Sequence, residues 1–419
     1  MDLENDLRRV LLERSTPEPD VDIVPVVHAG MRRRVRRQRV RYVGAAASVL
    51  ALWGGAMLVF QPGSTATKPL VPTTLVANVP SGFQIRDLTF VSTTRGYGLG
   101  TVPCSGGKRC TVLLQTDTGS HAWERAPAPL VRSALPDGSG CPDGLCVSQI
   151  RFATDRNGQE VGYAFGPSYL IFKDGEWQPQ LVGHRVEALE AAKAGTVVRV
   201  LARSGGGHFV QQSTVGSDTW KTVLPIAAPT YNAVLRRQAD RLVLVTFDNN
   251  SGVGAEPDVS DVRFSTDGGT TWKKGAHNPC DADSYFTSIA IAKQQEVVAL
   301  CTRRAGGSYV RVSEDNGTRF GPPRDLPKGL RATQVAAPAG GGWLVAGDLA
   351  TEHSRVVVTS EDQGATWERV ATEAAPAGLA ASGYLDNSNA KTLWWIGADP
   401  RYVWRTDDGG NHWTAARFR

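Results

Sequence analysis

Four aspartates, Asp267, Asp315, Asp362 and Asp408, recur along the chain at steps of 48, 47 and 46 residues. Carboxylates are the usual groups for general acid and base work, and two of them about 5–10 Å apart make a glycoside hydrolase. Their surroundings argue for another use. Each stands in the pattern Ser/Thr-x-Asp-x-Gly-x-x-Trp/Phe: Ser265, Asp267, Gly269, Trp272; Ser313, Asp315, Gly317, Phe320; Ser360, Asp362, Gly364, Trp367; Thr406, Asp408, Gly410, Trp413. An Asp carboxylate accepts N–H bonds from the residues that follow it, and a glycine permits φ > 0 at the bend. The aromatic then opens the returning strand with a large surface to bury. This is a tight hairpin, not a catalytic pair.

Other residues with chemical potential are scattered. Asp87, Asp155, Glu187, Glu190, Asp283 and Asp386 are available carboxylates, but spacing alone brings no two of them together. Arg86 and Arg151 stand in matched Gln-Ile-Arg triplets and are candidates for a small anion-binding pair. There is no Ser-His-Asp order to follow, no phosphate-binding glycine loop and no metal-ligand cluster. Asp137 and Asp143 sit in Gly-rich turns. The expectation is no catalytic residue, no metal and no cofactor.

The elements that position these residues repeat. Three worn copies precede the four full ones. Thr116, Asp117 and Gly119 reach Trp123 one residue late; Asp174, Gly175 and Trp177 form a shortened copy; Ser213 and Trp220 remain where Asp has become Val215. The aromatic anchors at 123, 177, 220, 272, 320, 367 and 413 give a mean period of about 48 residues. A fixed period of this size signals stacked small units. The second period holds four strand-like runs, at 149–153, 161–165, 169–172 and 177–181. Four strands with a turn between the third and fourth make one propeller blade. The expected fold is all-β: a seven-bladed β-propeller of four-stranded blades over 81–419, preceded by a single transmembrane helix. The blades are expected at about 81–128, 129–182, 183–226, 227–277, 278–327, 328–374 and 375–419.

These octets resemble the Asp-box, or bacterial neuraminidase repeat, found in sialidases, sortilin-type receptors, some glucanases and the stability factor of photosystem II. The resemblance covers roughly 80–419. It implies the propeller and says little of function, because these families share a turn and not a chemistry. A sialidase would need an arginine triad, a Tyr with a Glu partner, an Asp acid and an early Phe-Arg-Ile-Pro stretch. This chain has Phe83, Gln84, Ile85 and Arg86 there, without that arginine position or the proline.

Residues 1–41 are of another kind. Leu3, Leu7, Val10 and Leu11 mark one face of a short helix, which reads either as a solvated, frayed helix or as a docking element for a cytoplasmic partner of residues 1–30. Seven arginines crowd 32–41, directly before the uncharged run 43–60. That run is long enough to span a bilayer, and the positive-inside rule places the N-terminus in the cytoplasm. The span is taken as 42–60; a cleavable leader, with small residues at Ser64, Thr65 and Ala66, is the competing reading. The Pro/Thr-rich stretch 61–80 reads as a stalk, part of which is free to add a strand to a blade edge.

All six cysteines follow the span. Local pairing gives Cys104 with Cys110, Cys141 with Cys146 and Cys280 with Cys301. No Cys-x2-Cys pair favours zinc, so disulfides in an oxidising exterior are the better reading. The formal net charge of +5 sits largely in the first 41 residues, which leaves no nucleic-acid footprint on the rest. Arginine far exceeds lysine and Ala and Gly abound, a bacterial composition. The expected protein is a single-pass cell-membrane protein with an extracellular propeller that binds a protein or glycan ligand without enzymatic activity. Alternatives are a membrane-tethered glycoside hydrolase and a transmembrane sensor.

Overall fold

Strands whose two faces are both apolar need a packed neighbour on each side. The second strand of each repeat shows this best: Gly96–Pro103, Thr196–Ala202 and Val297–Arg303 are buried almost from end to end. The computed structural model describes residues 74–418 except 77, 106–108, 120–121, 130–131, 134–145, 204–205, 228–229, 231, 249–257, 294, 339–341, 350–351, 375–383, 388–390 and 398. The cytoplasmic segment 1–41, the span 42–60 and the stalk up to 73 lie outside the described residues, as does Cys141. Among the described residues no helix is long and apolar enough to cross a membrane.

Among the described residues the chain forms seven blades of a β-propeller, each of four antiparallel strands in sequence order, with a fifth, parallel strand added to the last blade. Blade I comprises Gln84–Phe90, Gly96–Pro103, Arg109–Thr116 and Glu124–Ala126. Blades II to VII begin with Gln149–Thr154, Val186–Ala191, Asn232–Gln238, Ser284–Ile291, Leu330–Ala336 and Tyr384–Asn387. From blade I to blade VII, each first strand lies beside the first strand of the blade that follows it. Seven clusters of buried apolar side chains, one at each blade–blade interface, stand in place of a single core. The antiparallel order puts turns 1–2 and 3–4 at one end of every blade, the box end. The 2–3 loops and the crossings between blades lie at the other, the loop end.

The ring closes at blade VII. Thr74–Leu75 pair in parallel with the last strand, Thr414–Arg417, and the Val76 N–H donates to the Arg417 carbonyl at 3.1 Å. The far end of the segment read as a stalk therefore belongs to the fold. Val76, Val79 and Phe83 are buried with Trp123 and Phe418. Phe90 stacks on Trp394 with ring centroids 3.5 Å apart. Disulfides Cys104–Cys110 and Cys280–Cys301 both lie toward the loop end.

The octets fold into one recurring bond pattern. In blade IV the buried Ser265 hydroxyl donates to Asp267 Oδ1 at 2.8 Å and accepts the Gly269 N–H at 2.9 Å. Asp267 Oδ1 also accepts the Thr271 N–H, and Trp272 Nε1–H donates to the Gly269 carbonyl. Blades V, VI and VII repeat the hydroxyl, carboxylate and glycine bonds with Ser313, Asp315 and Gly317, with Ser360, Asp362 and Gly364, and with Thr406, Asp408 and Gly410. Trp367, Phe320 and Trp413 pack into the interfaces behind them. Bonds from the Thr366 side chain and N–H hold the Asp362 carboxyl down at about 2. Burial opposes ionisation of Asp408, but the His412 N–H and ring and the Thr406 hydroxyl outweigh it and hold that group at about 2 as well.

Box glycines also grip the preceding blade. A Cβ on Gly269 would lie 2.5 Å from Val198 of blade III, and one on Gly410 would lie 2.4 Å from Leu344 of blade VI. Gly269 further has φ +93°. Gly269→Ala combines left-handed strain with overpacking, so we expect it to destabilise the protein by about 2–4 kcal/mol. A shifted urea midpoint at unchanged slope is the readout; an unchanged midpoint would show that the interface yields freely.

The worn copies differ instructively. In blade I the place of the box acid is taken by Thr118, whose Oγ1 accepts the Ala122 N–H at 2.9 Å. Asp117, read as that acid, turns away to Arg95, and Trp123 then falls at the regular spacing. In blade III Val215 is buried in the acid's place, and Ser213 donates to the Ser217 carbonyl instead. Blade II has no box: Asp174 and Gly175, with φ +54° and +85°, form a two-residue hairpin turn.

Candidate functional site

The wall of the central channel comes from the first strands. Arg86 and Arg151 are matched in sequence but not in space. A bulge between Ile85 and Asp87 shifts the register in blade I, and the first strand of blade II is regular. Arg86 is exposed; burial and the nearby Arg86 charge hold the Arg109 guanidinium below its usual range. Arg151 is buried and donates to Asp87 Oδ2 at 3.2 Å and to Glu190 Oε1 at 3.4 Å. Asp87 also accepts the Ile150 N–H at 2.7 Å. Burial pushes its carboxyl above the ordinary range even with Arg151 beside it. The two arginines thus make no free anion-binding pair. Arg151 links acids from blades I and III, while Arg237 of blade IV donates to the Thr196 carbonyl at 2.8 Å.

Two further clusters have catalytic-looking chemistry. Tyr97 donates to Glu160 at 2.5 Å, and Arg95 bridges Glu160 and Asp117 at 3.0 and 2.7 Å. A tyrosine nucleophile needs its phenolate stabilised. Here burial, then the bond to Glu160 and its charge, push the phenol upward. The ring is also covered, stacked on Phe152 at 3.7 Å. This cluster clamps blade I to blade II. At the loop end of blade III, His208 Nε2 lies 2.6 Å from Glu187 and Nδ1 lies 2.7 Å from Thr230 Oγ1. That is the order of a hydroxyl–imidazole–carboxylate triad. His208 is 0% and Thr230 5% exposed, so no substrate reaches the hydroxyl, and the bonds tie the crossing from blade III to blade IV.

The open site is at the box end, between blades II and III. A cleft of about 750 Å³ is lined by Asp155, Arg156, Gln159, Glu160, Lys173 and Ser217, among others. Its origin is local. Where blades IV to VII carry a full box loop, blade II has only Asp174 and Gly175 between Lys173 and Glu176, so the wall stops short. The opposite side is the worn turn of blade III, whose Gly216 carbonyl accepts from Lys173 Nζ at 3.3 Å. The floor turn is set by Asp155, whose Oδ1 accepts the N–H groups of Asn157 and Gln159, both at 2.8 Å.

Of the carboxylates named from sequence, Asp155 reaches this cleft; Asp87 and Glu190 are joined through Arg151; Glu187 holds His208; Asp283 accepts from Ser284. The Asp386 side chain lies outside the described set. Sequence reasoning missed the Tyr97–Glu160–Arg95 and Glu187–His208–Thr230 clusters, whose members are far apart in the chain. The cleft did leave a signal, the shortened repeat at Asp174.

No protein-family model and no curated protein matches the chain. Solved structures do. The lectin BP39L from Burkholderia pseudomallei superposes with a TM-score of 0.51 at 13% identity, covering 79% of this chain and 98% of the lectin. The β-propeller domain of the Trilobed protease from Pyrococcus furiosus matches at 0.47 and 9%, over 78% and 94% of the two chains. YCF48 bound to a D1 peptide matches at 0.36 and 12%, over 84% and 85%. At these identities the likeness is one of fold, and the chain is a seven-bladed β-propeller.

Proposed function

We propose that this is a single-pass cell-membrane protein that carries a non-enzymatic binding propeller outside the cell. One observation carries the non-enzymatic part: the box acids and most of the acids near the inner strands are already bonded. Asp267, Asp315, Asp362 and Asp408 hold their turns, Asp87 and Glu190 hold Arg151, Glu187 holds His208, and Glu160 holds Arg95 and Tyr97. Their charge and lone pairs are engaged by groups of the protein itself rather than offered to a substrate. The exterior location is supported by the arginine cluster before the uncharged run 43–60 and by two disulfides on the C-terminal side of that run. The ligand is a protein or a glycan.

The test uses intact cells. A membrane-impermeant amine reagent should label propeller lysines such as Lys273 and Lys274, both exposed, without lysis. An impermeant cross-linker should then join the propeller to its ligand. Labelling that appears only after lysis sinks the location. Turnover of any member of a broad glycoside panel, lost on changing one carboxylate, sinks the non-enzymatic reading.

A further inference from the structure

In the cleft between blades II and III, at the box end, a repeat has lost its loop and left polar groups around a hollow. We propose that it is a recognition site for a neutral, hydroxyl-rich glycan chain. The inference rests on the binding-module reading and gives that reading a place and a ligand chemistry.

Size comes first. About 750 Å³ falls within the span of ligand sites, roughly 300–1,000 Å³. Sites for apolar ligands are lined by exposed hydrophobic and aromatic side chains. Here the apolar liners are withdrawn: Val161 and Val215 are buried, and Phe172 packs against Phe152 and Trp177. A peptide held by an anchor side chain would find no apolar pocket.

The polar groups decide the rest. Arg156, Asn157, Gln159 and Asp174 are exposed around the rim. Guanidinium, carboxamide and carboxylate are planar groups that meet two adjacent hydroxyls with two hydrogen bonds. Both oxygens of Glu160 are turned to Arg95, which it shares with Asp117 outside the cleft lining, so Glu160 offers the hollow little free charge. That leaves Arg156 and Lys173 against Asp155 and Asp174, two charges of each sign. A balanced rim selects neither a polyanion nor a strongly basic segment, whereas hydroxyl groups donate to the carboxylates and accept from the cations alike. The worn box makes this possible. A full loop, like 266–271 in blade IV, would put backbone where the hollow is.

The experiment uses the full-length protein in detergent and a printed panel of neutral and acidic oligosaccharides. Neutral members should be retained. The double variant Arg156→Ala/Gln159→Ala, whose side chains are exposed, should weaken retention at least tenfold with an unchanged unfolding midpoint. A second variant, with residues 174–175 replaced by the 266–271 loop, should abolish retention by filling the hollow. Retention undiminished in the double variant overturns the assignment while leaving the protein a glycan binder. Preference for acidic members overturns the ligand class. If the native protein retains nothing from the panel, the glycan inference falls, and the binding reading then stands or falls by the cross-linking experiment alone.

Discussion

Arg151→Met destabilises the propeller by about 3–5 kcal/mol, the usual cost of stranding one partner of a buried ion pair. The side chains of Arg151 and Asp87 are 10% and 7% exposed, so water replaces little of what is lost. Glu190 loses the same guanidinium. The effect depends on pH in a determinate direction. Burial already holds the Asp87 carboxyl above its ordinary range, so the folded state binds that proton more tightly than the unfolded chain does. Stability from this group is present in acid and lost as pH rises through the folded-state value. Removing Arg151 moves that value higher still. The penalty should therefore be larger at pH 7 than at pH 5 in urea unfolding. Adding Asp87→Asn should recover part of it at pH 7. An equal penalty at both pH values, or a larger one in acid, would mean that Asp87 is not the group left stranded.

The second large effect concerns the seam of the ring. A chain beginning at Pro80 lacks Thr74–Leu75 and the buried Val76 and Val79, whereas one beginning at Ala66 keeps them. Burial of two valines is worth about 1.5–3 kcal/mol each, and the lost bond from the Val76 N–H to the Arg417 carbonyl adds about 1 kcal/mol. The expected loss is about 4–7 kcal/mol, which for a domain of this size lowers Tm by roughly 5–10 °C. Phe418, Phe83 and Trp123 meet at this seam, with Phe83 and Phe418 ring centroids 5.1 Å apart. Tryptophan fluorescence should therefore report its opening. Equal melting of the two chains would show that blade VII closes the ring through its own four strands.

Repetition makes much of this architecture legible in the sequence. The hydroxyl at Ser265, the acid at Asp267, the glycine at Gly269 and the ring at Trp272 all act within eight residues. A local motif of that kind is written in adjacent letters. Its recurrence every 48 residues or so carries blade number and strand order with it. In blade I the pattern points to Asp117, but its neighbour Thr118 takes the bond, and only the register of the turn chooses between the two. The stretch 61–80 adds its strand to a blade edge at Thr74–Leu75, and a two-residue parallel strand has no pattern of its own to mark which residues form it.

By itself, then, the sequence determined the repeat, the turn chemistry and the number of blades, since each depends on residues a few positions apart. Which carboxylates are engaged depends on how the blades pack. Asp87 and Arg151 are 64 residues apart in the chain, and Tyr97 and Glu160 are 63 apart. Their meeting depends on how one blade stacks on the next and on a single bulge at Arg86 that turns one side chain out and its neighbour in. The cleft belongs to both levels. The missing loop at Asp174 is visible in the chain, but a missing loop becomes a cavity only when blade III stands across from it and leaves the space unfilled.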